Sequence, residues 1–377
     1  MNTFPIHIMQ RKPMRPLHNL SDYVVEELPS DLELMRSGTA GQYRDLVQKA
    51  ENLAQDKGDV IAVSRGGQIL QLLDCTILES AIRTHGGVPG PLLSDLTNRC
   101  AALGKSIPTL TYEGLVAINP LATDPRTFCT GEIGTAELFF YQSHANIEYI
   151  LARCVQEMRE ILANVYGEPA RDIDLSITTR IRGNLIPMVQ TINRMMKQLF
   201  SKLPKYAFDA VRPYFDVNSI RGFHGPSGKF SAGVFAVDAL LYGDHPDMNL
   251  FLQKKMAELA YFPGTTASGD CFSGQDDMRS SFTLAQKKET LFSMQNKVES
   301  VELYDVMRTL FREMHMFRSQ HFAIAQRFIP DALMQGAGTG GETDLQRYLK
   351  HARDVYERAM NAQDRKILDA CLFSPLC

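Results

Sequence analysis

The sequence lacks closely spaced cysteine pairs. Seven cysteines are scattered through the 377 residues, and none of them forms a CxxC pair. Neither a zinc ribbon nor a thioredoxin-like site is therefore indicated. An odd number of scattered thiols is typical of proteins in a reducing compartment, and we expect a cytoplasmic protein.

The sequence also lacks a strong excess of charge and any long apolar run. The net charge is −3 and no long basic run occurs, so nucleic-acid binding is not expected as the main role. No apolar run approaches the length that spans a bilayer, and residues 1–20 lack the continuous apolar core of a signal peptide. We expect partners other than nucleic acid or a membrane.

Three glycine-containing motifs lack the context that their usual functions require. GKS at 104–106 resembles the end of a phosphate-binding loop, but Arg99 stands where that loop needs its first glycine. GAGTGG at 336–341 follows a helical pattern and Pro330 rather than a strand, which argues against dinucleotide binding. GPSGK at 225–229 ends in lysine where a nucleophile elbow has glycine.

The spacing of apolar residues predicts a mainly all-α fold. Proline and glycine interrupt residues 1–125, whereas residues 126–377 carry long helical patterns. One of them, over 175–203, is interrupted at Pro187, where a kink is expected. Residues 262–281 have the composition of a loop. We predict a small N-terminal domain of mixed structure (1–125) and a large helical domain (126–377).

One histidine stands on the apolar face of the last long helical pattern. Helical spacing places His321 on one stripe with Met314, Phe317, Ile324, Ala325 and Phe328. One interpretation is a core histidine whose ring nitrogens are hydrogen-bonded. The other is an axial metal ligand, because haem iron requires a neutral imidazole facing an apolar space.

Five segments, in the same order along the chain, resemble the haem-dependent tryptophan and indoleamine 2,3-dioxygenases. They are LTYEGLVAINP (110–120), GTAELFFYQSHANIE (134–148), KYAFDAVRPYF (205–215), FHGPSGKFSAGVFAVDALLYG (223–243), and RSQHFAIAQRFIP (318–330) followed by GTGG (338–341). The resemblance covers roughly residues 110–370 and is closer to the indoleamine branch. A related branch includes the pyrrolnitrin-pathway enzyme that rearranges chlorotryptophan.

The resemblance implies roles for individual residues and haem b as the cofactor. His321 would be the proximal iron ligand, Arg318 would lie near a haem propionate, and Asp238 would support the proximal side. Arg212 would bind the substrate carboxylate in bidentate geometry. The remaining implied site residues are the aromatic walls Phe139, Phe140 and Phe208, the distal-pocket Tyr112, the distal Ser143, the haem-flanking Ser227 and Gly228, and Thr339 of the GTGG loop.

Each implied role has an alternative. Arg212 precedes a proline near a predicted helix end, so a solvent-exposed cap is an alternative to a carboxylate clamp. The phenylalanines are compatible with plain core packing, and Asp238 with a structural ion pair to an arginine. His144 competes with Ser143 for the distal position, because a shift of one residue would match the tryptophan 2,3-dioxygenase branch.

The resemblance implies a dioxygenase of the kynurenine-pathway type, with O2 and a small aromatic molecule as substrates. Both oxygen atoms would be inserted across the indole C2–C3 bond of tryptophan or a related indole, giving an N-formylkynurenine-type product. Ala207 replaces a usual aromatic residue, and Glu342 adds an acid after GTGG. Two alternatives therefore stay open: a related haem oxygenase that hydroxylates or rearranges another aromatic amino acid, and a non-catalytic haem-binding protein. Both a monomer and a homo-oligomer are compatible with the sequence.

Overall fold

The computed structural model describes residues 19–38, 41–55, 65–103, 110–167, 173–215, 226, 228–258, 275–294, 301–329, 350, 353–354 and 356–357. Regular structure in these ranges is entirely helical, without strands. The α-helices are α1 (Leu20–Glu26), α2 (Leu28–Arg36), α3 (Gln42–Gln55), α4 (Arg65–His85), α5 (Gly90–Ala102), α6 (Gly131–Gly167), α7 (Ile173–Arg180), α8 (Ile186–Lys202), α9 (Lys205–Val211), α10 (Ala232–Tyr242), α11 (Pro246–Met256), α12 (Gln275–Gln286), α13 (Leu291–Met294) and α14 (Val301–Phe328). Short π segments cover Glu113–Ile118 and Ile181–Leu185, and 3₁₀ turns cover Asn119–Leu121, Arg212–Tyr214 and Gly228–Phe230.

The N-terminal part consists of helices α1 to α5, so the prediction of mixed structure is wrong for its described residues. Several of the described prolines and glycines lie at helix ends. Pro29 falls in the first turn of α2, where the missing N–H costs nothing, and Gly38 follows that helix with φ of 81°. The division at residues 125 and 126 stays a prediction. A buried ion pair crosses it, since Arg126 Nε donates to Asp74 Oδ1 at 2.8 Å.

Helix α6 is the longest helix described, and it packs against α8, α9 and α10. Its start is fixed by Glu137, whose carboxylate accepts hydrogen bonds from the backbone N–H groups of Phe128 and Cys129 and from the Tyr141 hydroxyl. Gly134 is required there, because a Cβ would lie 2.3 Å from the Cys129 carbonyl oxygen. The carboxylate therefore ties the segment before α6 to the helix itself.

Helix α10 forms the centre of the core. All of its eleven residues are buried, and it packs against α6 and α12. Asp238 is its single Asp, Glu, Lys, Arg or His residue and is fully buried. Helix α14 packs along α8 and also contacts α9, so α9 joins α6 to α14.

Two details of the helices differ from what the sequence predicts. The interruption at Pro187 takes the form of a π segment ending at Leu185, which accommodates the carbonyl that proline leaves without a donor. The loop predicted at 262–281 is wrong from Gln275 onward, where α12 begins and buries Met278 and Ala285. Within the described ranges, no helix is long and apolar enough to cross a membrane.

Candidate functional site

His321 lies on the inner face of α14 as a neutral imidazole. Burial lowers its pKa to about 3, and the positive charges of Arg318 and Lys255, with that of His144 when it is protonated, act in the same direction. The side chain nevertheless keeps part of its surface accessible. No hydrogen bond joins either ring nitrogen to another described residue, so the interpretation as a hydrogen-bonded core histidine receives no support.

The Nε2 atom of His321 faces a glycine. A Cβ built on Gly228 would lie 3.9 Å from Nε2, and Gly228 itself is exposed. A side chain at this position would be in van der Waals contact with the nitrogen. The glycine therefore leaves open the approach of a ligand to the imidazole.

Behind His321 lies a buried cluster built around the carboxylate of Asp238. Arg318, one turn before His321, donates from Nη2 to Asp238 Oδ2, and the Tyr356 hydroxyl donates to Oδ1. Asp238 and Tyr356 are fully buried and Arg318 is 8% exposed. Asp238 is thus paired with an arginine, as its structural interpretation requires. Tyr356 was missed because 118 residues separate it from Asp238, and no local pattern in the sequence reports such a contact.

Aromatic rings form a continuous wall from α6 to α14. Phe140 contacts His144, with ring centroids 4.3 Å apart, and Phe208, at 5.6 Å. Phe208 then contacts Phe328 on α14 at 5.5 Å. Phe139 is half-buried against the same core. Phe140, His144 and Phe208 are half-buried, whereas Phe328 is fully buried.

Among the described residues, one ring nitrogen of His144, Nε2, has no hydrogen-bond partner. Its Nδ1 lies 2.8 Å from the Phe140 carbonyl oxygen, and since a carbonyl only accepts, Nδ1 carries the proton. Burial lowers the pKa of His144, so the ring is neutral and Nε2 keeps its lone pair. His144 also lies close enough to His321 to influence its pKa. Ser143 is buried beside it, and its distal role stays a prediction.

Arg212 is buried directly after α9. It is the C-cap residue of α9, as the alternative interpretation expected, but it is 8% exposed, so its expected exposure to solvent is wrong. Its backbone N–H donates to the Phe208 carbonyl, so its side chain lies one helical turn beyond Phe208. Residues four apart share a helix face, so the side chain of Arg212 leaves the backbone on the same face as Phe208.

Tyr112 is held by a carboxylate that the sequence did not single out. Its hydroxyl donates to Glu148 Oε1 at 2.8 Å, and both residues are buried. Burial raises the pKa of Glu148, against hydrogen bonds from Ser231, Tyr112 and the backbone N–H of Gly233. Glu148 lies one turn after His144 on α6. Its signal in the sequence is only an acid among the apolar residues of a long helix.

Lys255 on α11 is a second buried cation near His321, and it too was missed. It is 3% exposed, its Nζ donates to the Lys229 carbonyl at 3.1 Å, and Nζ lies 5.0 Å from the centroid of the Phe251 ring. Its charge helps to lower the pKa of His321.

The remaining predicted residues cannot be placed. Ser227, Thr339 and Glu342 lie outside the described residues. In the ranges that the structure describes, no group of three or more His, Cys, Asp or Glu side chains is arranged to hold a metal ion.

The comparisons with known proteins leave the chain without an assigned family. No protein-family model matches it, and no curated protein is significantly similar to it.

Proposed function

We propose that the chain binds haem b through His321 and is a haem-dependent dioxygenase for tryptophan or a related indole. The observation that carries the proposal is the neutral imidazole of His321, with an accessible Nε2 facing Gly228 and a buried arginine–carboxylate pair behind it. A single imidazole is sufficient for iron in a porphyrin, because the macrocycle supplies the four equatorial ligands.

The surroundings of His321 fit a flat, apolar cofactor with carboxylate groups. The half-buried rings of Phe140 and Phe208 offer apolar contact, and Arg318 and Lys255 bring positive charge close to the imidazole. Buried cations are the usual partners of propionate groups. Haem, when bound, supplies the oxygen chemistry, namely insertion of both atoms of O2 across the indole C2–C3 bond.

The chain contributes orientation and exclusion of water. Arg212 is the candidate clamp for the carboxylate of an amino-acid substrate, since a guanidinium binds a planar carboxylate through two hydrogen bonds. The aromatic wall would stack on the indole ring. The unprotonated Nε2 of His144 is suited to accept a hydrogen bond from the indole N–H. The hydroxyl of Ser143 is the neighbouring alternative acceptor.

One observation also favours a second candidate function. His144 is a stronger base than Ser143 beside it, and it is close enough to His321 to influence the pKa of that imidazole. A base near the reacting ring suits hydroxylation or rearrangement of another aromatic amino acid. A screen of indoles, substituted tryptophans and tyrosines, with O2 or peroxide as oxidant, separates the two candidates by product.

The test begins with the ferrous protein under anaerobic conditions. We expect that O2 and L-tryptophan then produce the absorbance of N-formylkynurenine. If a haem-loaded protein gives no such product with tryptophan but converts another aromatic amino acid, the second candidate replaces the first. Haem binding without turnover of any aromatic would favour a non-catalytic haem protein.

A further inference from the structure

Tyr356 belongs to the buried cluster with Asp238 and Arg318. Neither the sequence pattern nor the resemblance gives it a role. Its hydroxyl donates to one carboxylate oxygen of Asp238 while Arg318 donates to the other. We propose that Tyr356 is a positioning residue, which holds the Arg318–Asp238 pair behind His321 and so sets the electrostatic potential at the iron. The inference rests on the haem binding proposed above.

The ring of Tyr356 also contacts Arg318, in addition to the hydrogen bond from its hydroxyl to Asp238. The guanidinium carbon of Arg318 lies 5.7 Å from the ring centroid of Tyr356 and 5.7 Å from that of Phe317. Phe317 is in turn parallel to the His321 imidazole, with centroids 6.5 Å apart and 7° between the ring planes. The guanidinium is therefore close to two rings, one of which is parallel to the imidazole of the candidate iron ligand.

Tyr356 is itself held in place. Its ring packs edge-on against Tyr242, with centroids 5.1 Å apart, and the side chain is fully buried. Burial and the charge of Asp238 raise its pKa, so the hydroxyl keeps its proton and remains a donor. Because the whole cluster is excluded from water, its field at His321 is weakly screened.

The sign of the effect follows from the charges. The hydroxyl dipole offsets part of the negative charge of Asp238. Without it, the carboxylate acts more strongly at the iron and favours the more positive ferric state. Tyr356→Phe is therefore expected to lower the ferric/ferrous reduction potential, whereas Asp238→Asn, which removes the negative charge, is expected to raise it.

The experiment is a spectroelectrochemical titration of the haem-loaded full chain, with thermal unfolding measured on the same samples. Tyr141→Phe is the matched control, because it also removes a buried hydroxyl that donates to a carboxylate, that of Glu137 at 2.6 Å. We expect both tyrosine variants to lose stability. Only Tyr356→Phe should shift the potential downward from the wild-type value, and Asp238→Asn should shift it upward.

Two other outcomes would overturn the assignment. Equal potentials in Tyr356→Phe and Tyr141→Phe would make Tyr356 merely structural, and an unchanged potential in Asp238→Asn would show that the cluster is not felt at the iron. A wild-type protein without a Soret band would refute haem binding, and this inference with it. A normal Soret band with unmoved potentials would refute this inference alone.

Discussion

Arg318 and Asp238 form a buried ion pair that joins α14 to α10, one helical turn from the imidazole of His321. Two charges without water are costly unless they are paired and hydrogen-bonded. The pair therefore holds the candidate ligand helix against the centre of the core, and it keeps a guanidinium beside an imidazole that must stay neutral.

The first prediction concerns this pair. Asp238→Asn leaves a buried guanidinium uncompensated, and we expect it to lower the free energy of unfolding by about 3–5 kcal/mol. The double variant Asp238→Leu/Arg318→Met removes both charges and should recover most of that loss. Urea unfolding of the single and double variants measures it. A double variant that is no more stable than Asp238→Asn would show that the loss does not come from the uncompensated guanidinium.

The second prediction concerns pH and Glu137. Burial raises the pKa of Glu137 to about 7, although its hydrogen bonds oppose this. Between pH 4.5 and 7 the folded carboxyl therefore holds a proton that the unfolded one has released. Protonation of this group therefore makes the native state more stable as pH falls through that range and less stable as pH rises. At roughly 1.4 kcal/mol per pKa unit, the free energy of unfolding changes by about 3 kcal/mol across the range.

Glu137→Gln isolates this contribution from those of other titrating groups. The variant loses some stability at every pH, because its amide NH₂ faces hydrogen-bond donors. Its deficit relative to the wild type should be largest near pH 4.5 and shrink toward pH 7. A deficit that stays constant across the range in denaturant unfolding would contradict the raised pKa.

The third prediction concerns substrate recognition by Arg212. Arg212→Lys keeps the positive charge but loses bidentate geometry. We expect KM for an amino-acid substrate to rise about tenfold to a hundredfold, which corresponds to about 1.4–2.8 kcal/mol. Binding of an indole without a carboxylate should be unaffected, and it serves as the control. An equal loss for both ligands would mean that Arg212 only maintains the fold.

The fourth prediction distinguishes His144 from Ser143. If His144 Nε2 accepts the indole N–H, His144→Ala should weaken binding of tryptophan by about tenfold, the effect of one neutral hydrogen bond. It should leave 1-methyltryptophan, which lacks that N–H, nearly unchanged. Ser143→Ala is the comparison in the same turn of α6. A larger effect from the serine variant would reverse the assignment.

Periodicity was sufficient to predict the long helices, because amphipathic stripes such as that of α14 repeat over many turns. It failed at α12, whose first turn is polar and which is stabilised by packing against α10. His321 and Arg318 could be named together as candidate site residues from the sequence, because helical spacing places them on one face. Tyr356, Lys255 and Glu148 were not, since each acquires its significance from a contact made by distant chain segments.

Absorption spectroscopy of the purified protein is the most direct test of the central claim that His321 binds haem. We expect a Soret band in the wild type that is lost in His321→Ala. It should be retained in His315→Ala, which removes a half-buried histidine from the same helix. A wild type without the band, or a band that persists in His321→Ala, would contradict the account.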